Sequence, residues 1–436
     1  MKILLITDEV WNDSIHGNNV LSNWFNGFPA EFAQIYCSPG HPDNDCCELY
    51  YQITDKMMIN SILNHTKAGT RLQKSEETTQ QYNSTDVSNI NWMRRYCGNL
   101  LRLIKNLVWS FGKYDETAIS SFIKEFQPDI IFSPRFATPK MLRLERIVYK
   151  YANCPMVAFT GDNEYSMRMF SLSPFAWINK LWLRKALRRN AKMYSAYYTL
   201  SDEQKSEYEK VFSCPIKILR KCVPSDIVIV SDQIHEPIKI VYAGKMYCNR
   251  WKTLGKIGAA LQKLNSDGCK AVLNIYTKDT LTKKQQKALD LPGSVVLHGA
   301  ISQCQVLDNY QKSDIALHIE SFDLKYRLAT RVSFSTKIID CLNGGCAIMA
   351  VAWKEHSGLT YLKREDAAIC IDDSKKIFEV LSKIISCPEL IKNYKLKARD
   401  CLIRNHSRQK VQKSLLDDWY AIIDAYLKSK EESNTF

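Results

Sequence analysis

No stretch of this sequence approaches the ~18 uninterrupted apolar residues of a membrane-spanning helix. No segment is therefore expected to cross a bilayer. No C-x-x-C occurs, and no Cys/His cluster has zinc spacing. Cysteine number is odd, at 15, in a chain of 436 residues. That usage excludes a disulfide framework and reads as reduced, mostly buried thiols of a cytoplasmic protein. The opening Met1–Asp8 has too short an apolar run for a signal peptide, and a carboxylate follows it at once. No G-x-G-x-x-G follows any expected strand, which removes support for a nicotinamide-dependent enzyme.

What is present is ordinary globular material. Hydrophobic residues make up 45% and charged residues 24%, enough to bury sizeable cores. The length gives a prior of two or three domains. Lys and Arg exceed Asp and Glu by 60 to 46, a net charge of +14. A basic excess attracts anions: phosphorylated small molecules, anionic lipid or nucleic acid. Nucleic acid has no motif behind it here and is not expected as a partner.

Short continuous apolar runs read as buried parallel strands. They fall at Ile3–Thr7, Phe32–Cys37, Pro128–Pro134, Pro155–Thr160 and Ala196–Leu200. After a polar seam at Ser225–Pro237 they resume at Ile238–Ala243, Ala271–Tyr276, Val295–His298, Ile315–Ile319, Ala347–Val351 and Ala367–Ile371. Helical segments alternate with them, among them Trp92–Trp109, Asp115–Glu125 and Trp251–Leu264. Such alternation means βαβ units and doubly wound parallel sheets. The expected plan is α/β with two Rossmann-like domains, residues 1–225 and 238–408. A polar excursion at 65–91 reads as mobile. A final helix within 409–436 is expected to pack back on the first domain.

Open α/β sheets bind ligands beyond the carboxyl ends of their strands. Four loops there carry candidate chemistry. Gly17, after the first strand, lets backbone approach an anion; a plain strand–helix turn is the alternative. Thr160-Gly161-Asp162-Asn163-Glu164 places two carboxylates after a strand. Asp162, with Glu164 behind it, is expected to orient a hydroxyl or take a proton; a helix cap is the alternative. Gly244 followed by Lys245, Arg250 and Lys252 suits a diphosphate, or else is a solvated basic loop. Ser335-Thr336-Lys337 opens a helix that could bind phosphate at its start. Asp340 lies one turn inside, placed for ribose hydroxyls, and Gly344-Gly345 stops the helix; many folds have such capped helices. Separately, Trp177–Arg189 is a basic aromatic stretch. It suits either an anionic membrane surface or a core helix with a basic outer face.

These residues together resemble the retaining GT-B glycosyltransferases, especially the family-4-like enzymes of bacterial surface-polysaccharide synthesis. Gly244-Lys245 with Arg250 and Lys252 resembles the element that holds the donor diphosphate, with Lys in place of the usual first Arg. Val295–Gly299 resembles the strand near the nucleotide base, so Tyr276, His298 and Gly299 are implied base and ribose neighbours. Ser335–Gly345 resembles the donor-site helix, with Asp340 where the second Glu of an E-x7-E motif binds ribose. The first Glu of that motif is missing, since its position holds Val332. Glu320, at the end of the preceding strand, is the implied substitute. Gly161-Asp162 resembles the position that contacts the donor sugar from the first domain.

The resemblance implies transfer of a sugar, with retention, from a nucleotide-sugar to a saccharide or lipid-linked saccharide. It implies no cofactor and no metal. Capsule, O-antigen or other surface polysaccharide synthesis is the implied setting, in the cytoplasm, with a peripheral place on the inner face of the plasma membrane as the alternative. A nucleotide-sugar epimerase and a catalytically inactive binding or scaffold module of the same fold stay open beside it.

Overall fold

The computed structural model describes residues 1–14, 20–73, 87–223 and 230–434. They form two compact units, Met1–Leu219 with Gln412–Phe436, and Arg220–Val411. Gly17 lies outside the described residues.

Among the described residues the first unit holds one eight-stranded sheet. Its strands are β1 (Lys2–Thr7), β2 (Glu31–Tyr36), β3 (Cys47–Gln52), β4 (Thr70–Gln73), β5 (Ile130–Pro134), β6 (Met156–Thr160), β7 (Tyr194–Thr199) and β8 (Ile216–Ile218). Their spatial order is β4-β3-β2-β1-β5-β6-β7-β8. All neighbours are parallel except β4, which runs antiparallel to β3. Helices cover the sheet, so β1 is buried from Ile3 to Thr7 and reads as a continuous apolar run. The helices Glu116–Phe126 and Pro139–Tyr151 are started by Asp115 and Thr138, whose side chains accept from the N–H groups of Ala118 and Met141.

The second unit has strands β9 (Ile238–Ala243), β10 (Ala271–Tyr276), β11 (Val295–His298), β12 (Ile315–Ile319), β13 (Ala347–Val351) and β14 (Ile369–Ile371). Their order is β11-β10-β9-β12-β13-β14, all parallel. Each sheet therefore reverses its direction of growth once, between β1 and β5 and between β9 and β12. Those switch points open the crevices where this sheet type takes ligands.

Three strands escape the sequence patterns. β3 is Cys-Glu-Leu-Tyr-Tyr-Gln, and β4 and β8 are four and three residues long. All lie near or at a sheet edge, where burial is one-sided and no apolar run is needed. The polar segment 65–91 also differs from expectation. It contains β4 and the start of the helix Val87–Phe111, so part of it is ordered; residues 74–86 lie outside the described residues. The last helix, Arg408–Asn434, places Trp419 against Phe132, Phe28 and Phe25 with centroids 5.2, 5.9 and 6.0 Å away.

Candidate functional site

In the second unit the loop after β9 is tightly curled. Gly244 N–H donates to Tyr276 O (2.9 Å), Met246 N–H to Asp279 (2.6 Å), and Tyr242 O–H to Lys245 O (2.8 Å). Cys248 and Asn249 then take left-handed backbone (φ 57° and 58°), which turns the chain into the helix Arg250–Leu264. That turn aims Arg250 inward. Its guanidinium grips Glu320, just past β12, with two hydrogen bonds, one from Nε at 3.1 Å. Both side chains are buried. Burial opposes the charge on Arg250, but Glu320, helped by Tyr242 and Tyr247, offsets it and raises the pKa. Lys252 stays outside, paired with Asp323 at 2.6 Å, and Lys245 is exposed.

Lys337 reaches this loop from across the switch point. A Cβ on Gly244 would sit 2.1 Å from its Nζ, so the ammonium occupies the space that the glycine leaves. Among the described residues Lys337 has neither a hydrogen bond nor an ion pair; the Tyr242 ring lies 5.8 Å away, and Glu320 and Asp340 act on the ammonium only through their fields. Burial, assisted by Arg250, lowers its pKa from 10.5 to about 8. His318, on β12, is buried, and its Nε2 has no partner. Burial first, then His356, Arg250 and Lys337, push its pKa well below 6.5, so the imidazole is neutral. His318, Glu320 and His356 hold ligand atoms within 4.8 Å of one another, a spacing a metal ion could use.

The Ser335–Lys337 element differs from its expected form. The helix Lys337–Leu342 is only six residues long, and Thr336 makes no side-chain cap. Its first N–H groups, of Ile338 and Ile339, bond back to the carbonyls of Ser335 and Thr336. The functional group that this segment offers is the Lys337 side chain rather than a helix end. Asp340 is ion-paired with Lys221 at 2.6 Å. Tyr276 and His298, at the ends of β10 and β11, stack with centroids 4.3 Å apart and planes 11° apart, and His298 Nε2 contacts Asn274 Oδ1 at 3.0 Å. Gly299 follows, exposed.

In the first unit Asp162 is exposed at the loop tip, and its carbonyl accepts from Gln204 (2.7 Å). Glu164 turns inward. It is buried, accepts from Ala137 N–H, and lies 3.6 Å from Arg135, which also donates to buried Glu145 (2.9 Å). Burial raises Glu164 to about 7 despite Arg135. Lys180 clamps this loop through the carbonyls of Asn163 and Glu164 (3.1 and 2.7 Å). Two residues were missed in the sequence, Asp8 and His318. Asp8, just after β1, accepts from Phe136 N–H (2.7 Å) at the β1/β5 switch point, near Lys140 (3.7 Å). Burial raises it to about 6 against Lys140. Its position after the first strand was the available signal. For His318 the signal was an imidazole within an otherwise apolar run.

Neither a family model nor a curated relative matches the sequence. Solved structures do. Anabaena HepE in complex with UDP matches 97% of this chain and 100% of its own at 11% identity and TM-score 0.61. An S. aureus TarM variant, in complex with fondaparinux, α-GlcNAc-glycerol and UDP, matches 97% and 99% at 9% identity and TM-score 0.59. The chain has the GT-B fold. A chain of the GtfA/B complex matches 72% of it at 12% identity and TM-score 0.51, and this chain spans 61% of that neighbour. At such identities the likeness is one of fold. Among the described residues no helix is long and apolar enough to cross a membrane.

Proposed function

We propose that this chain is a glycosyltransferase that uses a nucleotide-diphosphate sugar, with the β9/β12 switch point as its donor site. The observation that carries the reading is the Lys337 ammonium, without an ion pair among the described residues and packed against Gly244 beside buried Arg250. A half-buried cation without an ion pair is a site for an anion, and a glycine loop lets a diphosphate approach the backbone. Structural neighbours solved with UDP, with UDP and glucose, and with UDP-2-fluoro glucose support a nucleotide-sugar donor.

In this reading the bond from the anomeric carbon to the diphosphate breaks, and the electron pair leaves with the nucleoside diphosphate. The acceptor hydroxyl forms the new C–O bond and loses its proton. Lys337, Arg250 and Lys245 stabilise the charge growing on the β-phosphate, the largest usual contribution to such catalysis. They take the part a metal would play, so no metal is needed. The stacked Tyr276–His298 pair offers a face to the base, and Asp340 and Glu320 serve the ribose and sugar. Lys252, Ser335, Thr336 and Gly299 line the approach. Within the first unit, Glu164 and Arg135 hold the loop of Asp162, the group proposed to orient a hydroxyl, and Asp8 is a second carboxylate able to receive a proton. The transfer proceeds with retention, onto a saccharide or lipid-linked saccharide of a surface polysaccharide.

A second reading, a nucleotide-binding module without turnover, is favoured by Glu320 being held by Arg250. The test is a screen of UDP, GDP and ADP and their sugars, following melting temperature and diphosphate release. A ligand at a hundred times its Kd adds about 2.7 kcal/mol of stability. Stabilisation with release, both lost in Lys337→Ala, supports the transferase. Stabilisation without release selects the module. No shift at millimolar nucleotide sinks both.

A further inference from the structure

The solvent side of the first unit carries an apolar layer that its own core does not use. In the helix Val87–Phe111, the side chains of Leu100, Ile104, Leu107 and Phe111 are exposed, the last by 73%. Their spacing of four, three and four places them on one stripe. Trp109 and Asn106, on other faces of this helix, are buried. A folded helix in water normally shows the reverse pattern.

Two neighbouring helices extend the layer. Asn106 donates to Asn179 (3.0 Å), both buried, so the helix Pro174–Asn190 lies alongside. It exposes Phe175, Ile178 and Leu181 in its first half and Lys185, Arg188 and Arg189 in its second. The loop before it exposes Met167, Phe170 and Leu172, the last by 91%. On the other flank Trp109 Nε1 donates to Asp55 (2.6 Å), which opens the helix Asp55–Leu63, and Ile59, Ile62 and Leu63 are exposed there. The aromatic stretch itself plays a smaller part than its sequence suggested. Trp177 is half-buried and donates to Ser171 O (3.0 Å), while Lys180 and Arg184 are used inside, on the carbonyls of Glu164 and Tyr165.

Charge identifies the occupant. Neither Val87–Phe111 nor Pro174–Asn190 contains an Asp or Glu. With 46 acidic residues in 436, about four would be expected across the two. Exposed Arg102, Lys113, Arg168, Lys185, Arg188 and Arg189 lie among the apolar groups or around them. A contiguous apolar surface calls for a partner. One interspersed with cations and free of carboxylates on its two longest elements fits a layer that is anionic outside and apolar beneath.

We propose that the first unit docks on an anionic lipid bilayer through this three-helix face, with Ile104, Leu107, Phe111, Ile178 and Leu181 entering the acyl boundary and Lys185 and Arg189 meeting the headgroups. Binding of this kind joins buried apolar area to attraction for anionic lipid. It does not depend on the transferase reading, because no nucleotide takes part.

The experiment is flotation of the full chain with vesicles of phosphatidylcholine alone and with about one third phosphatidylglycerol. Circular dichroism melting confirms that each variant is folded. The expected result is binding to the anionic vesicles only, weakened by added salt. Ile104→Ser with Phe111→Ser, and separately Lys185→Glu with Arg189→Glu, each lower it about tenfold or more. No binding to phosphatidylglycerol vesicles overturns the proposal, as does binding that neither pair of substitutions changes. Sedimentation velocity distinguishes a second copy of the chain: a dimer dispersed by Ile104→Ser with Phe111→Ser, without vesicle binding, also overturns it.

Discussion

Gly244→Ala separates binding from folding at the proposed donor site. The added methyl would meet Lys337 Nζ at 2.1 Å and the Tyr242 hydroxyl at 2.9 Å. Gly244 lies outside the left-handed region, so alanine meets no backbone penalty. Lys337 is the free end of a flexible chain without a hydrogen-bond partner, and it yields by swinging away. The Tyr242 ring needs only a small adjustment. Alanine also narrows the unfolded ensemble, worth about 0.4–1 kcal/mol in favour of the fold. The net change in stability is within about 1 kcal/mol, a few degrees in Tm at most. Binding is different. A displaced ammonium forfeits a hydrogen bond to a charged phosphate, about 1.5–3 kcal/mol, so the Kd for UDP rises roughly ten- to a hundredfold. Isothermal titration with UDP on Gly244→Ala, Lys337→Ala and the double variant reads this directly. Both single changes remove one interaction, so the double variant should lose no more than Lys337→Ala alone. Unchanged UDP affinity in Gly244→Ala, or full additivity in the double variant, refutes the argument.

Lys337 loses its proton near pH 8 rather than 10.5, so UDP binding weakens as pH rises from 7 to 9.5, by up to about tenfold per unit. Titration calorimetry across that range should show the slope in the wild type and a flat profile in Lys337→Ala. Asp8 is raised from 3.8 to about 6, so the native state binds the extra proton between about pH 4 and 6 and loses stability as pH climbs through that window. Asp8→Asn keeps an acceptor for Phe136 N–H and escapes that loss. Relative to wild type it should gain up to about 3 kcal/mol between pH 4 and 7 in urea melts, and parallel profiles would contradict the burial argument. Trp419 is fully buried among Phe25, Phe28 and Phe132. Trp419→Ala should cost about 3–5 kcal/mol, read by denaturant unfolding, and a loss below about 1 would place that helix outside the core.

The two sheets were legible because doubly covered parallel strands must be apolar throughout. Ile238–Ala243, Ala271–Tyr276 and Ile315–Ile319 are found with the boundaries their composition suggests. The strands that escaped, β3, β4 and β8, need no such run near an edge. The loops of the proposed donor site were legible in part, because glycines and cations cluster after strands whatever the tertiary detail. What the pattern could not supply is direction. Arg250 and Lys252 are two residues apart, yet the turn at Cys248-Asn249 sends one into the core and leaves the other on Asp323. Ser335 and Thr336 have the right chemistry for a cap, but the chain is already helical at Thr336, so the hydroxyl is no longer placed to accept. Side-chain direction also explains Trp177–Arg189. Lys180 and Arg184 are drawn in by carbonyls from a loop that the sequence gives no reason to place there.

The same question of direction decides between a cation and an anion at the β9/β12 switch point. His318, Glu320 and His356 have the spacing for a metal. A metal there would have to take Glu320 from Arg250, which already holds both carboxylate oxygens. Removing one partner of a buried pair costs about 3–5 kcal/mol. It would also bring a divalent charge beside Arg250 and Lys337, whose fields add to the burial and the His356 neighbour that keep His318 neutral. An anion meets the opposite situation. It leaves Arg250 on Glu320 and gives Lys337, which has no ion pair of its own, a direct counter-charge. Zinc and a nucleoside diphosphate therefore make opposed demands on one set of side chains, and Lys337, without an ion pair, is the reason the second is the one proposed.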